Sequence, residues 1–310
     1  MNQLNRGILT MAYGQQKKYV MMAKGLAQSL MLHSPNITRA IVTDSQDSEL
    51  NKLYDIVIPL NPEWGQGMWQ KLYINEYSPF AETLYIDSDS LVVKPIDGLW
   101  DLFAGVPFGV IGKQISAGKA LNGKIKDVQE IRDKFNVDSL PVFNGGLYFF
   151  QKEAAITVFL AAKEIAKNYQ SLGISNSRGK LSDETVFSIA LAGHGINAIS
   201  DPMGLTMRTL RGISSPIEID VLLGNCSFIK EAKLVEPAIV HFAGYIGYFY
   251  QIRELTKLKL ATNFNLVNHQ LISTSMNIFF DLSRQIYRIY KSTKKLTDFK
   301  SSQKDNHQVM

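Results

Sequence analysis

Thr83-Leu84-Tyr85-Ile86-Asp87-Ser88-Asp89-Ser90-Leu91-Val92-Val93 is the stretch on which the fold turns. An uncharged run enters Asp87-Ser88-Asp89, and a second apolar run leaves it. A short apolar run bounded by polar residues predicts a buried strand, and burial on both faces is what a parallel sheet demands. Ligands of open α/β sheets collect beyond the carboxyl ends of strands, so the two aspartates stand where a site is expected. Carboxylates flanking one residue repel when turned to one point, and a divalent cation removes that conflict. Oxygen ligation suits Mg²⁺ or Mn²⁺, which combine a few protein carboxylates with substrate phosphates. The same letters also serve turns and helix caps, so the pair points to a metal through its place at a strand end.

Outward from this segment, apolar and β-branched runs predict strands over 7–11, 40–43, 56–59 and 83–86. They alternate with helical periods over 16–32, 46–54 and 69–77, the pattern of βαβ units around a mostly parallel sheet. Beyond the aspartates, 90–94, 108–111 and 142–150 predict further strands, and 153–170 and 183–192 predict helices. Residues 113–138 are rich in Gly and Lys, with a helical patch over 128–135, and read as a mobile loop beside a site. A last strand over 238–242 carries His241 near its end. A lone histidine among apolar neighbours is usually a core residue; as a third ligand it would tilt the ion toward Mn²⁺.

A chain of 310 residues with 45% hydrophobic content is long enough to bury a full core. Its single cysteine, Cys226, has no partner for a disulfide or a CxxC site, which favours a reducing, cytoplasmic setting. Neither a secretory signal nor a window of about 20 apolar residues is found, so a soluble or peripheral protein is expected. The net charge is +5, but seven Lys/Arg against three Asp from Asp281 onward supply +4 of it. A nearly neutral body argues against an extended nucleic-acid face. Over 278–290, Phe279, Leu282, Ile286 and Ile289 recur at helical spacing beside Arg284, Arg288 and Lys291. That pattern fits a helix docked on the protein's own surface or one lying on a membrane interface. Residues 1–250 are expected to form the catalytic unit, 251–296 a helical extension and 297–310 a disordered tail.

Several segments, in order from about Gly7 to Gly244, resemble the retaining glycosyltransferases of the glycogenin and bacterial lipopolysaccharide galactosyltransferase group (glycosyltransferase family 8). The resemblance implies the GT-A fold, an α/β architecture with a mostly parallel mixed sheet flanked by helices. It places Tyr19 against the nucleotide base, and Lys71 matches a basic residue that precedes the metal motif. Tyr85-Ile-Asp87-Ser88-Asp89 is very similar to that motif, and Phe143-Asn144-Gly145-Gly146 matches an asparagine–glycine strand where the sugar approaches the backbone. Asp183 matches an acidic residue near the transferred sugar. His241, in Val-His-Phe-Ala-Gly244, resembles the third metal ligand. Asp87, Asp89 and His241 are thereby the implied metal ligands, Asn144 and Asp183 the implied catalytic pair, and Tyr19, Lys71, Ser88, Gly145 and Gly244 the implied donor contacts. The family's lysine six residues after the histidine is absent: that position is Gly247. Lys71 or a lysine of the 113–126 stretch is the expected substitute.

The implied activity is metal-dependent transfer of a hexose from a UDP-sugar to a glycan, lipid-linked or protein acceptor, with retention. Two alternatives stand beside it. A non-catalytic nucleotide-sugar-binding module fits the change at Gly247. A sugar nucleotidyltransferase has the right fold class, but Ala12-Tyr-Gly-Gln-Gln-Lys-Lys18 is a poor triphosphate loop.

Overall fold

A computed structural model of the chain describes residues 4–14, 16–170, 172, 174, 181–243, 247–263 and 268–286. Its first half is wound as strands β1 (Leu4–Ala12), β2 (Arg39–Thr43), β3 (Ile56–Pro59) and β4 (Phe80–Ile86). Helices α1 (Lys17–His33) and α2 (Ser48–Leu53) make the first crossovers, while a 3-10 stretch Gly67–Tyr73 running into α3 (Ile74–Tyr77) stands before β4. The expected helix over 69–77 is therefore mostly 3-10.

Strands β5 (Ser90–Val92), β6 (Phe108–Gly109), β7 (Gly112–Ile115), β8 (Leu140–Phe143) and β9 (Leu147–Gln151) follow, with α4 (Leu99–Leu102) and α5 (Val128–Phe135) between them. The main sheet has the order β3-β2-β1-β4-β9-β6. Its β1–β2, β1–β4 and β2–β3 pairs are parallel, and β9 runs antiparallel to β4 and β6. The order reverses between β1 and β4, so the crevice of the topological switch point opens at Ala12 and Ile86. Thr10 Oγ1 clasps the two strands there by donating to the Ile86 carbonyl at 2.7 Å.

Alternation along each strand feeds two cores, one per sheet face. Leu9, Tyr85, Tyr148 and Phe150 face one side with Phe159 and Phe187, while Ile8, Leu84, Ile86, Leu147 and Phe149 face the other with Leu26 and Leu30. The helices on the first side are α6 (Ile156–Lys167) and α7 (Asp183–Gly193). Because both faces are apolar, the sequence shows a continuous run and hides the break inside it. The expected strand over 142–150 is two strands, β8 and β9, separated by Asn144-Gly145-Gly146. The expected loop over 113–138 is also more ordered than its composition implied: it begins in β7, which pairs antiparallel with β8, and contains α5.

The remaining strands are β10 (Met207–Thr209), β11 (Glu218–Asp220), β12 (Asn225–Lys230), β13 (Lys233–Val235) and β14 (Ile239–His241). A second sheet, β10-β14-β5, lies against the end of β4, and β11-β12-β13 form an antiparallel meander. Helix α8 (Tyr248–Asn263) runs across residue 250 and buries Leu255 and Leu258 with Leu91, Phe228 and Phe242. A further helix spans 269–286.

Candidate active site

Sheet register builds the centre. Asp87-Ser88-Asp89 turns from β4 into β5, with Ser90 N–H donating to Asp87 O and Asp87 N–H to Gly146 O, both at 3.0 Å. Strand β14 pairs antiparallel with β5 and sets His241 opposite Ser90, and Phe242 N–H donates to Asp89 O at 2.9 Å. His241 Nε2 therefore lies 3.0 Å from Asp89 Oδ1 and 3.8 Å from Asp87 Oδ2. One ligand atom from each of the three residues lies within 4.8 Å of the others.

The histidine ring is held from behind. Its Nδ1 is 2.6 Å from Asn144 Oδ1, which also accepts Gly146 N–H at 3.0 Å. An amide oxygen only accepts, so Nδ1 is the donor, and Nε2 faces the carboxylates, donating to Asp89 when the ring is protonated and free to offer its lone pair to a cation when it is not. Burial would lower the His241 pKa, but Asp89 outweighs it and holds the value above ordinary. Burial pushes Asp87 up against the pull of Lys71, and Asp89 adds to the rise. Asp89 is held low because His241 overcomes its burial. Two carboxylates and an aimed imidazole that strain one another's protonation form a donor set matching Mn²⁺ or Mg²⁺.

Lys71 stands between two acids. Its Nζ is 2.9 Å from Asp87 Oδ2, 2.9 Å from Asp183 Oδ2 and 3.1 Å from Gly145 O. Burial opposes its charge, yet Asp183 and Asp87 together hold its pKa well above that of an ordinary lysine. Tyr85 Oη donates to Asp87 Oδ1 at 2.8 Å and Tyr148 Oη to Asp183 Oδ2 at 3.1 Å. Asp183 opens α7, where the helix dipole favours an acid; Lys71 and Tyr148 overcome its burial and keep it ionised. Beside it, Glu184 Oε1 accepts Gly145 N–H at 3.1 Å and Oε2 meets Lys124 Nζ at 3.0 Å. The Lys-rich segment is thus anchored at the site.

Space decides the glycines. A Cβ on Gly145 would stand 2.6 Å from Asp183 Oδ2 and 2.7 Å from Tyr148 Oη, and one on Gly146 would stand 2.4 Å from His241 Nδ1. The pair of glycines lets the chain pass between the Asp87–Asp89–His241 cluster and the α7 acids.

Two cavities meet at this cluster. One of about 750 Å³ is lined by Lys71, Asp87, Asn144, Gly145, Asp183 and His241, together with Lys124. The other, of about 820 Å³, is lined by Tyr19, Ser88 and Asp89, and shares Lys71, Asp87 and Asp183 with the first. Of the residues named from sequence, all but Gly244 are accounted for in these two cavities; Gly244 lies outside the described residues. Gly247 lines neither cavity and packs against Leu210 and Phe242.

Residues not foreseen include Tyr13 and Asp44, which line the second cavity. Tyr13 Oη donates to Gly67 O at 2.5 Å, and burial pushes its pKa to about 12. Asp44 accepts Gly14 N–H at 3.1 Å. Both directly follow a sheet strand at its carboxyl end, the one signal that would have found them. Lys230, the last residue of β12, and Arg211 also line the first cavity; both lie outside the main parallel sheet, where that signal does not reach.

No family model matches the chain, and no curated protein matches it. Solved structures do. The galactosyltransferase LgtC in complex with donor and acceptor sugar analogs superposes with a TM-score of 0.54 at 16% identity, covering 81% of this chain and 94% of LgtC. An active-site mutant of LgtC gives 0.55 at 16%, covering 82% and 95%. The bifunctional glycosyltransferase WbbM gives 0.52 at 13%, covering 88% of this chain and 51% of WbbM. The chain has the GT-A fold of these glycosyltransferases.

Proposed function

We propose that the protein is a metal-dependent glycosyltransferase that moves a hexose from a UDP-sugar to a hydroxyl acceptor, with retention of configuration. The observation that carries this reading is the convergence of Asp87, Asp89 and His241 at the switch point, with a cavity on either side. Asp87, Asp89 and His241 would hold Mn²⁺ or Mg²⁺, whose chemistry as a Lewis acid is to stabilise charge on a departing diphosphate. The protein's own groups do the rest. Tyr19 and Tyr13 offer rings to a base, Gly145 lets a sugar lie close to the backbone, and Asn144 keeps the imidazole aimed. Asp183, held ionised by Lys71 and Tyr148, is suited to accept from a sugar hydroxyl or to face positive charge at the anomeric carbon, and unsuited to donate a proton. The acceptor hydroxyl replaces the diphosphate on that carbon, and its proton passes to the phosphate oxygen that leaves.

Titration calorimetry with UDP tests the reading. Binding should require Mn²⁺, vanish on chelation, and be lost in Asp87→Ala/Asp89→Ala, after which UDP-sugars are screened for transfer. UDP binding that ignores both the metal and the two aspartates would remove the reading. Metal-dependent binding with no transfer to any acceptor, and no hydrolysis, would instead support the non-catalytic module that the Gly247 position keeps open.

A further inference from the structure

The cations that face the metal cluster are not equivalent. Lys71 is held between Asp87 and Asp183, and Lys124 is held by Ser182 and Glu184. Lys71 and Lys124, the one lysine of the 113–126 stretch that lines this cavity, are therefore already committed. Arg211 and Lys230 line the same cavity, Arg211 exposed at the rim and Lys230 half-buried at the end of β12. Among the described residues, neither forms an ion pair with an acid.

Lys230 is nevertheless fixed. Its Nζ donates to Thr209 O at 2.8 Å and to Thr209 Oγ1 at 2.9 Å, both neutral oxygens. Thr209 lies directly beside His241 in the parallel pairing of β10 and β14, one strand spacing of about 4.8 Å away. The amine is thus anchored on the neighbour of a metal-ligand residue. Burial, then Arg208, draws its pKa below that of an ordinary lysine, and Arg208 is itself occupied by Asp201 at 3.0 Å. A half-buried ammonium whose hydrogen bonds go only to neutral oxygens is costly unless an anion meets it.

Charge identifies the anion. A divalent ion, Lys71 and Lys124 carry as much positive charge as Asp87, Asp89, Asp183 and Glu184 carry negative charge. A nucleoside diphosphate adds two or more negative charges to a centre already balanced, and the charge at its terminal phosphate grows as the sugar departs. Lys230 and Arg211, set against Glu231 alone, are the cavity's remaining positive charge among the described residues.

We propose that Lys230 is the cationic contact for the sugar-bearing phosphate of the nucleoside diphosphate donor. The role takes the place left by Gly247, from a different strand, and rests on the glycosyltransferase reading. Lys230 meets the phosphate, while Thr209 positions the amine.

The test compares wild type, Lys230→Met and Lys230→Arg by calorimetry with Mn²⁺, using UDP and also UMP, which lacks the distal phosphate. Loss of one charge-assisted hydrogen bond should weaken UDP by roughly 10- to 100-fold in Lys230→Met. Lys230→Arg should recover most of it, with UMP affinity, Mn²⁺ affinity and melting temperature unchanged. Unchanged UDP affinity in Lys230→Met, while wild type still binds UDP through the metal, overturns the assignment and leaves the glycosyltransferase reading intact. Equal weakening of UDP and UMP, or weakened Mn²⁺ binding, reduces Lys230 to a brace for β10 and overturns it too. A raised acceptor KM with UDP affinity intact would move the anion to the acceptor and have the same effect. Metal-independent UDP binding by wild type would sink the function and the assignment together.

Discussion

The imidazole of His241 is aimed by a side-chain amide, and that dependence can be measured. Asn144 Oδ1 accepts the Nδ1–H hydrogen bond at 2.6 Å and is itself braced by Gly146 N–H. Removing an outer partner of a metal-binding histidine commonly costs about 10- to 100-fold in metal affinity. Asn144→Ala should therefore weaken Mn²⁺ by that factor in a direct titration without any donor, while Asn144→Asp, which keeps an acceptor, should lose less. Equal Mn²⁺ affinity in Asn144→Ala would show that the ring needs no support. At this scale the sequence was informative where chemistry sits at a strand end: Asp87, Asp89 and His241 each do so and were legible. The two-sided role of the Asn144-Gly145-Gly146 turn was not. Its glycines are required by His241 and Asp183, residues 95 and 38 positions further along, and no local pattern encodes so distant a contact.

Elements were legible in proportion to the contrast between their faces. The parallel strands β1, β2, β3 and β4 stand out as apolar runs among helices of different period, and these set the switch point. Where contrast fails, so does the reading: 142–150 is apolar on both faces and hides a turn, and the Gly and Lys of 113–138 conceal a strand whose partner is β8. Helix α8 is a further case, because polar residues share its buried side with Leu255 and Leu258. Lys257 and Glu254 are both fully buried; Lys257 Nζ lies 2.8 Å from Asp220 Oδ2 and 3.1 Å from Glu254 Oε1. Arg253 completes the group at 2.7 Å from Glu254, Glu254 Oε2 accepts Val221 N–H, and Ser273 Oγ donates to Asp220 at 2.7 Å. The network ties α8 to the turn after β11 and to the helix over 269–286. Taking one partner from a buried ion pair leaves uncompensated charge and typically costs about 3–5 kcal/mol. Lys257→Ala should lower the stability measured in urea by that amount; a loss under about 1 kcal/mol would mean that water reaches the acids. Lys257→Ala/Glu254→Gln should recover part of the loss, since it removes one of the stranded charges.

At the scale of the whole molecule, an exposed apolar surface lies apart from the residues that line the two site cavities. The helix over 269–286 docks through Ile272 and Ser273, with Arg284 reaching Tyr250 Oη at 3.2 Å and lying over the rings of Phe249 and Tyr250. Its other apolar side is open: Ile278 and Phe279 are each 57% exposed, Leu282 54% and Ile286 66%. Ile289, the next residue in that series, lies outside the described residues. The helix is thus docked on the protein's own surface along one side and open along the other, and we propose that the open side meets a lipid surface. No helix among the described residues is long and apolar enough to cross a membrane. An apolar face on a segment with seven Lys/Arg against three Asp is suited to lie on an anionic lipid surface, where each basic group adds about 1 kcal/mol and salt weakens the sum. We therefore expect the full chain to float with vesicles containing anionic phospholipid and not with purely zwitterionic ones, and to be released by 0.5 M salt, on the order of a threefold shorter screening length than at 0.05 M. Phe279→Asp/Leu282→Asp should abolish flotation while leaving metal-dependent UDP binding unchanged, because neither residue lines the site cavities. Flotation that survives this double substitution would show that the basic residues alone suffice; no flotation of wild type would leave the open face to some other partner.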